Sequence, residues 1–219
     1  MKVLVIGSSG KMGKLLCNTL KTLNINHFGI DRTNRESINF KPTVIVDFSS
    51  CAALKYNLDL AKLYNCPFII ATTGHSEENL KLIETLSKEI PIFVSANFSL
   101  QFNVLLEMLQ SVKFLNKDKV IIEETHHIRK KDAPSGSAKM IYNELIHMNI
   151  NAEVLSIRAG NIVGEHSVKF FAENEVLEIK HTALSRQLFC DGAVKACKFI
   201  ENKQPGLYTM KDLLKYDNK

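Results

Sequence analysis

The chain has 219 residues, 45% of them hydrophobic and 23% charged, a composition typical of a soluble globular protein with one large domain or two small ones. The net charge is +5, but no aromatic-basic motif or recognition-helix pattern accompanies it, so we expect no nucleic-acid partner. No stretch approaches the roughly 20 apolar residues of a membrane span, so we expect no membrane partner either.

The first predicted element is a buried parallel strand at Val3 to Ile6, an apolar run far too short for a signal peptide. A glycine turn follows at Gly7 to Gly13, and the leucines after it have helical spacing. Strand, glycine turn and helix are typical of the phosphate-binding opening of a Rossmann unit. The spacing is G-x-x-G-x-x-G instead of G-x-G-x-x-G, and such a turn can also serve packing alone.

The next predicted strand, around His27 to Ile30, ends at Asp31 and Arg32. An acidic residue at this strand end binds the ribose hydroxyls of a dinucleotide in Rossmann folds, which favours NAD. Arg32 beside it is suited to the extra phosphate of NADP. A solvent-exposed turn pair is the alternative interpretation.

Strands and helices then alternate as far as residue 98, which predicts a doubly wound α/β domain. Polar clusters follow its successive strands, and ligands of such folds lie beyond the carboxyl ends of the strands. These clusters therefore predict a binding rim, although each alone is compatible with turn chemistry. The clusters are Ser49-Ser50, Thr72-Thr73-Gly74 and Ser95-Ala96-Asn97-Phe98.

From about Ser99 the pattern changes to a helix, a short strand at Lys119 to Ile122 and, further on, strands of period-two alternation. This pattern predicts a second, α+β domain with a mostly antiparallel sheet, one face of which is free to pack on another subunit. The tail from Gly192 is helical again and is predicted to return to the first domain.

The loop predicted at Glu123 to Ala138, between a strand and a helix, contains several side chains suited to catalysis or binding. His126 and His127 can move protons near neutral pH, and Lys130 follows. The turn at Ala133 to Ser137 places hydroxyls and backbone N–H groups at a helix N-terminus, which is suited to an anion. A negatively charged substrate that gains a proton fits this set, although a solvated basic loop capped by a serine has the same composition.

The five cysteines are odd in number and lack Cys-x-x-Cys spacing. We therefore expect reduced thiols in a cytoplasmic protein, with neither a disulfide framework nor a metal site.

The motif Glu124-x-His126-His127-x-x-Lys130-x-Asp132-Ala133-Pro134-Ser135-Gly136-Ser137-Ala138 resembles that of the dihydrodipicolinate reductase (4-hydroxy-tetrahydrodipicolinate reductase) family. The glycine turn, Asn97-Phe98-Ser99, Arg158-Ala159-Gly160, Gly164-Glu165-His166 and His181-x-Ala183-x-Ser185-Arg186 also match, so the resemblance covers nearly the whole chain. It implies an NAD(P)H-dependent oxidoreductase that reduces a cyclic imine dicarboxylate to tetrahydrodipicolinate in the diaminopimelate route of lysine biosynthesis.

The resemblance also implies an organisation for the chain. Residues 1–98 with a return at 192–219 would form the Rossmann-type dinucleotide-binding domain, and residues 99–191 the substrate-binding domain, through whose sheet the protein would form a homotetramer. Catalytic roles fall on His126 and Lys130, with Lys130 as the direct proton donor. Substrate binding falls on His127, Lys130, Gly136 and Ser137, and cofactor binding on Gly7, Ser8, Ser9, Gly10, Lys11, Met12, Asp31, Arg32, Ala71, Thr72, Thr73, Ser95, Ala96, Asn97 and Phe98.

The cofactor that the resemblance implies is NADH or NADPH. Asp31 favours NADH, as does Ser50, which stands near where many family members place a basic residue that assists NADP. Two other functions remain open. A dehydrogenase of similar build acting on another imine would not need the paired histidines, and a non-catalytic nucleotide sensor would need neither His126 nor Lys130.

Overall fold

The computed structural model of the protein describes residues 1–34, 38–115 and 117–217. The chain divides into two compact units, Met1–Phe98 with Phe189–Lys219 and Ser99–Leu188. Among the helices of the described ranges, none combines the length and the hydropathy required to cross a bilayer.

Within these ranges, ten strands and seven α-helices make up the two units. The strands are β1 (Lys2–Ile6), β2 (Asn26–Ile30), β3 (Val44–Asp47), β4 (Phe68–Ile70), β5 (Pro91–Val94), β6 (Lys119–His126), β7 (Glu153–Arg158), β8 (Gly164–Ala172), β9 (Glu175–Ala183) and β10 (Gly206–Tyr208). The helices are α1 (Lys11–Thr22), α2 (Leu54–Tyr64), α3 (Glu77–Ser87), α4 (Leu100–Gln110), α5 (Gly136–His147), α6 (Gln187–Ile200) and α7 (Met210–Asp217).

The first unit is built on a parallel sheet in the order β10-β5-β4-β3-β1-β2. Its central strands are continuous apolar runs because both faces are covered, and Val3 to Ile6 are fully buried. Ile6 is in register with both Ile30 and Asp47. The segments that follow β1, β2 and β3 therefore emerge at the same edge of the sheet, which confirms the predicted α/β Rossmann-like fold.

The second unit contains a four-stranded mixed sheet in the order β7-β6-β8-β9. The pairings of β6 with β8 and of β8 with β9 are antiparallel, whereas β6 and β7 are parallel. The prediction of a mostly antiparallel sheet is therefore only partly confirmed. Helices α4 and α5 supply apolar side chains to the core on one face, including Phe102, Leu109 and Ile141.

Strand β6 is longer than the sequence predicted. It runs to His126, so Glu123 to His126 belong to the strand and not to the loop. The polarity of Glu124 and His126 suggested a loop, but pairing with β7 on one side and β8 on the other holds this end extended. Side chains alternate between the two faces of a strand, so Glu124 and His126 share the buried face with Ile122.

Candidate active site

The glycine turn after β1 is held by close backbone contacts. Gly7 has φ +82°, a conformation that glycine adopts without strain, and its N–H donates to the carbonyl of Ile30 at 2.8 Å. A Cβ on Gly13 would lie 2.1 Å from the carbonyl oxygen of Gly7. Helix α1 therefore begins directly against the turn. Because its N-cap is Gly10, which has no side chain to cap the first turn, the positive end of the helix is suited to a phosphate.

A cavity of about 480 Å³ opens at this edge of the sheet. The predicted cofactor residues that line it are Gly7, Ser9, Gly10, Asp31 and Arg32. Ser49 and Ser50, which the sequence placed in the predicted binding rim, also line it, together with three residues to which the sequence assigned no role: Thr33, Phe48 and Ala53. Five residues from two separate strand ends thus meet around one cavity of a size suited to part of a dinucleotide.

Two aspartates fix the loops around the cavity. Asp31 Oδ1 accepts hydrogen bonds from the N–H and the hydroxyl of Thr33 at 2.8 and 2.7 Å. Asp47 is fully buried, and its two carboxylate oxygens accept from Ser49 and Asn57. The hydrogen bonds of Asp47 fix the segment that follows β3. This segment lies directly against the glycine turn, since a Cβ on Gly7 would come within 2.9 Å of Phe48.

The other predicted cofactor residues follow the strand ends along the same sheet. The N–H of Ala71 donates to the carbonyl of Asp47 at 3.0 Å, and the buried hydroxyl of Thr72 contacts His75 Nε2 at 3.0 Å. The Ser95 hydroxyl donates to the carbonyl of Asn97 at 2.8 Å, which closes a tight turn. Four more of the predicted cofactor residues follow a strand or begin a helix at this edge of the sheet, but they do not line the cavity: Ser8, Lys11, Met12 and Thr73. Ala96 is exposed, and Phe98 is buried against Phe93.

In the second unit, a buried carboxylate organises the end of β6. Glu124 is fully buried, and its Oε1 accepts from Arg158 Nη2 at 2.6 Å and from the N–H of Ser135 at 3.3 Å. Its Oε2 is bound to His126 Nδ1. The same Arg158 Nη2 also donates to the carbonyl of Asp132 at 2.6 Å. One carboxylate therefore joins β6, β7, the loop and the start of α5.

The charges in this network are set by their neighbours. Burial alone would raise the pKa of Glu124, but hydrogen bonds from Arg158, Ser156 and His126 hold it below its ordinary value. Burial lowers the pKa of His126, and the positive charges of Lys130 and Arg158 add to this effect, so that the attraction of Glu124 is outweighed. At neutral pH, Glu124 is therefore ionised and His126 uncharged. A carboxylate can only accept, so His126 Nδ1 carries the proton.

Ser135 connects this network to helix α5. As the N-cap, its hydroxyl oxygen accepts from the N–H of Ala138 at 3.1 Å, and the hydroxyl contacts His166 Nε2 at 3.2 Å. Burial lowers the pKa of His166 to about 3, and His126 contributes to the shift. Gly136 and Ser137 form the first turn of α5, at the end that favours an anion.

Lys130 and His127 lie on the loop after β6. Lys130 Nζ forms an ion pair with Asp132 at 2.8 Å, and the backbone N–H of Lys130 donates to the carbonyl of His127 at 3.0 Å. Arg186 Nη2 approaches His127 Nε2 at 3.4 Å. Burial and the charges of Arg129 and Arg186 lower the pKa of His127. The loop thus gathers cations around an uncharged imidazole, which suits a substrate with several negative charges.

Glu124, His126 and His166 place one donor atom each within 4.8 Å of one another. Arg158 forms an ion pair with the Glu124 carboxylate at 2.6 Å. A guanidinium charge at that distance opposes the binding of a metal cation. The geometry therefore fits a hydrogen-bond network better than a metal centre.

Sequence reasoning gave no role to Glu124, Arg158, His166 or Arg186, although each lies in a motif that matched. Only for Glu124 does the sequence contain a direct physical signal. It precedes His126 by two residues, so the two side chains share one face if both belong to a strand. The contacts of Arg158 and His166 depend on the register of β7 and β8 against β6, which a linear pattern does not contain.

Comparisons with known proteins cover both units. The family model "Dihydrodipicolinate reductase, N-terminus" matches residues 1–98, and "Dihydrodipicolinate reductase, C-terminus" matches residues 102–214. The 4-hydroxy-tetrahydrodipicolinate reductase of Thermosipho africanus is 42% identical over 218 residues, which cover 98% of each protein. That of Caldanaerobacter subterraneus is 38% identical over 247 aligned residues, with the same coverage.

Solved structures agree at the level of the fold. The dipicolinate-bound dihydrodipicolinate reductase from Paenisporosarcina sp. TG-14 superposes with a TM-score of 0.76 at 19% identity, covering 95% of this chain and 97% of that one. A myo-inositol dehydrogenase from Corynebacterium glutamicum reaches 0.60 at 8% identity. On its matched sequence, the chain belongs to the dihydrodipicolinate reductase family of NAD(P)H-dependent oxidoreductases, which carry out a reduction step of lysine biosynthesis.

Proposed function

We propose that the protein reduces 4-hydroxy-tetrahydrodipicolinate, or the dihydrodipicolinate formed from it by loss of water, with the cofactor on the first unit and the substrate on the second. The 4-hydroxy form must first lose its hydroxyl group as water to give dihydrodipicolinate, and bound NAD(P)H would then supply the hydride that adds to the conjugated imine. One proton completes the reduction, giving tetrahydrodipicolinate and NAD(P)⁺. The cofactor supplies the hydride, whereas the chain supplies orientation, charge and the proton.

The observation that carries this proposal is the difference in charge between Lys130 and His126. Lys130 is an ammonium paired with Asp132 at 2.8 Å, whereas His126 is uncharged at neutral pH with its one proton bound to Glu124. Of the two predicted acid/base residues, only Lys130 therefore offers a proton without breaking the Glu124 network. Acid catalysis of this kind is worth about 10²–10⁴-fold.

The substrate's two carboxylates are assigned to the cationic loop and to the start of α5. His127, Lys130, Gly136 and Ser137 are the proposed substrate residues, and Arg186 joins them because it approaches His127 at 3.4 Å. The dipicolinate in the related Paenisporosarcina structure is a dicarboxylate, which agrees with this choice of ligand.

Cofactor binding is assigned to the cavity beside the glycine turn and to the strand ends that follow it. We propose NADH as the preferred cofactor, because the Asp31 carboxylate lines this cavity and would repel an additional phosphate. Ser50, also in the lining, adds no positive charge to offset that repulsion. Arg32 acts in the opposite direction, so we expect a preference and not exclusion of NADPH.

The assembly proposed for this chain is a homotetramer formed through the second sheet. The face of that sheet opposite α4 and α5 carries half-exposed apolar side chains: Leu155, Ile157 and Val176 are 40, 43 and 54% exposed. Burial of such a patch against another subunit is favourable. Light scattering of the purified protein tests this assembly.

We also propose a cytoplasmic location, which is supported by five free thiols, three of them buried.

A substitution at Lys130 tests the proposed reaction. With substrate generated from pyruvate and aspartate semialdehyde by the preceding synthase, we expect wild-type protein to oxidise NAD(P)H only in the presence of the synthase product. Lys130→Ala is expected to lower kcat by about 10²-fold or more, while NADH binding, followed by cofactor fluorescence, stays unchanged. Lys131→Ala removes the neighbouring exposed lysine and is the matched control.

Normal turnover in Lys130→Ala would contradict the proton-donor assignment. Cofactor binding without any oxidation by the wild type would favour a nucleotide sensor or another imine substrate.

The same assay ranks the cofactors. We expect a higher kcat/KM with NADH, and Asp31→Ala is expected to reduce that preference by about tenfold, or 1.4 kcal/mol. Equal preference in the wild type and Asp31→Ala would remove Asp31 from this role.

A further inference from the structure

Glu124 is a buried charge of the second unit with several hydrogen-bond partners, and the proposed reaction gives it no role of its own. Its side chain is fully buried and lies on the same face of β6 as His126. Four groups contact its carboxylate: Arg158, Ser135, Ser156 and His126. A buried carboxylate with this many donors is held in one orientation.

The orientation of the carboxylate determines which ring nitrogen of His126 carries a proton. Because Oε2 can only accept, Nδ1 donates to it and the uncharged ring keeps its lone pair on Nε2. Within residues 1–34, 38–115 and 117–217, Nε2 has no hydrogen-bond partner. Nε2 lies beside the backbone of Gly164, where a Cβ would approach it to 2.9 Å. The absence of a side chain at Gly164 therefore leaves room at the acceptor nitrogen.

We propose that Glu124 is a positioning residue that fixes His126 as the Nδ1–H tautomer and so makes Nε2 a hydrogen-bond acceptor during the reaction. This inference rests on the proposed function. It divides the work of the two predicted acid/base residues: Lys130 donates the proton, and His126 accepts a hydrogen bond. Glu124 acts only through His126 and touches no reacting atom.

The network makes the Glu124→Gln substitution informative. Arg158 has only donors to offer, so the introduced glutamine can keep the contact at 2.6 Å only by turning its amide oxygen toward Arg158. The same oxygen also accepts from the N–H of Ser135. The amide NH₂ must then face His126 Nδ1, which has to become an acceptor. The variant is therefore expected to move the proton of His126 to Nε2 while keeping the shape of the site.

The tautomer is measured by two-dimensional ¹⁵N–¹H NMR of the histidine rings in the cofactor-loaded enzyme at about pH 7.5, where an unshifted imidazole is already uncharged. We expect His126 of the wild type to show a protonated Nδ1 and an unprotonated Nε2, and Glu124→Gln to show the reverse. In the synthase-coupled assay, kcat of Glu124→Gln is expected to fall by about 10²-fold or more. KM is expected to change by less than about threefold, because the bonds to Arg158 and Ser135 persist.

Glu123→Gln is the matched control, since it removes a carboxylate from the same strand on the opposite face of the sheet, where Glu123 pairs with Lys169 at 3.3 Å. It is expected to leave the His126 tautomer and kcat unchanged, and light scattering checks that both variants keep the wild-type mass. An unchanged tautomer in Glu124→Gln, or a reversed tautomer with normal kcat, would overturn the proposal.

A second variant covers the case in which Glu124→Gln does not fold. Gly164→Ala leaves the carboxylate in place but puts a methyl group 2.9 Å from Nε2. The expected result is a loss of kcat with an Nδ1–H tautomer like that of the wild type, and normal kcat would overturn the role of Nε2. The NMR result does not depend on turnover. If the wild type oxidises no cofactor, the proposed function fails, while a tautomer that does not depend on Glu124 refutes this inference alone.

Discussion

His166 illustrates how burial determines the charge of a side chain that the sequence presents as ordinary. It is 4% exposed, and burial lowers its pKa to about 3 from an ordinary value of 6.5, with a contribution from His126. Glu124 raises the pKa, whereas His181 and Lys130 lower it further. His166 is therefore an uncharged structural partner of the Ser135 hydroxyl throughout the neutral range.

The sign of the pH dependence follows from proton binding. In the unfolded chain His166 takes up a proton near pH 6.5, but in the folded protein only near pH 3. The unfolded state therefore binds more protons between these values, and the free energy of unfolding decreases as the pH falls. As the pH falls from about 6.5 to about 5, one such group lowers the free energy of unfolding by at most about 2 kcal/mol.

We predict that His166→Gln loses less stability than the wild type between about pH 7.5 and about pH 5, the range over which an exposed histidine gains its proton. Urea unfolding at the two pH values measures this difference. His126 and His181 also have lowered pKa values, so part of the pH dependence persists in the variant. Equal losses in the two proteins would show that His166 takes up its proton in the folded state as readily as in the unfolded chain.

At the scale of elements, the end of β6 was the main error of the sequence analysis. The apolar and glycine patterns correctly predicted the strand and turn of the first unit, because those patterns follow directly from burial on both faces. In the second unit, the same patterns predicted that β6 ends at Ile122, although the strand extends to His126. Buried polar residues on a strand look like a loop until their partners are known, and here the partners Arg158 and His166 lie on β7 and β8.

The start of α5 combines a structural and a functional role, and these can be separated. Ser135→Ala removes the bond to the N–H of Ala138 at 3.1 Å, and Ser76→Ala removes the equivalent bond to Asn79 at 3.3 Å at the start of α3. Loss of the cap bond is expected to cost about 1 kcal/mol of stability in each variant, and Ser135→Ala is expected to cost more in total because it also leaves the buried His166 Nε2 without the Ser135 hydroxyl. Only Ser135→Ala is expected also to raise the KM for the imine substrate, by about threefold or more.

Thermal unfolding and the synthase-coupled assay measure the two effects. Because Ser76 caps a helix of the first unit, it is the matched control for the loss of a cap as such. Equal KM values in the two variants would mean that the N-terminus of α5 does not bind the substrate.

At the scale of the whole molecule, the chain leaves the first unit after Phe98 and re-enters it at Phe189. The returning segment includes one especially close approach to the turn after β5. Gly192 of α6 lies so near Phe98 that a Cβ would be 1.8 Å from the Phe98 carbonyl oxygen. That distance is far below van der Waals contact, so any side chain at this position must displace the helix or the turn.

We predict that Gly192→Ala destabilises the protein by about 1–3 kcal/mol or more, in spite of the higher helix propensity of alanine. Lys198→Ala, at an exposed position of the same helix, is the control and is expected to stay within about 0.5 kcal/mol of the wild type. Denaturant unfolding measures both variants. A Gly192→Ala protein as stable as the control would mean that α6 and the Phe98 turn separate at little cost.

The sequence by itself determined the parallel α/β architecture of the first unit, the glycine turn with Asp31 at the next strand end, and the family. These features are local: a run of apolar residues, a turn that needs glycine, or a contiguous motif. The two catalytic residues and the substrate and cofactor contacts remain predictions that the variants above test.

Only the tertiary structure decided how the polar residues of the second unit meet. Glu124, Ser135, Arg158 and His166 come from β6, the start of α5, β7 and β8, and they form one buried network. Their meeting depends on the register of a parallel and an antiparallel strand pair on either side of β6. Register is set by packing between segments distant in sequence, so the tautomer of His126 could not be read from the motif that contains it.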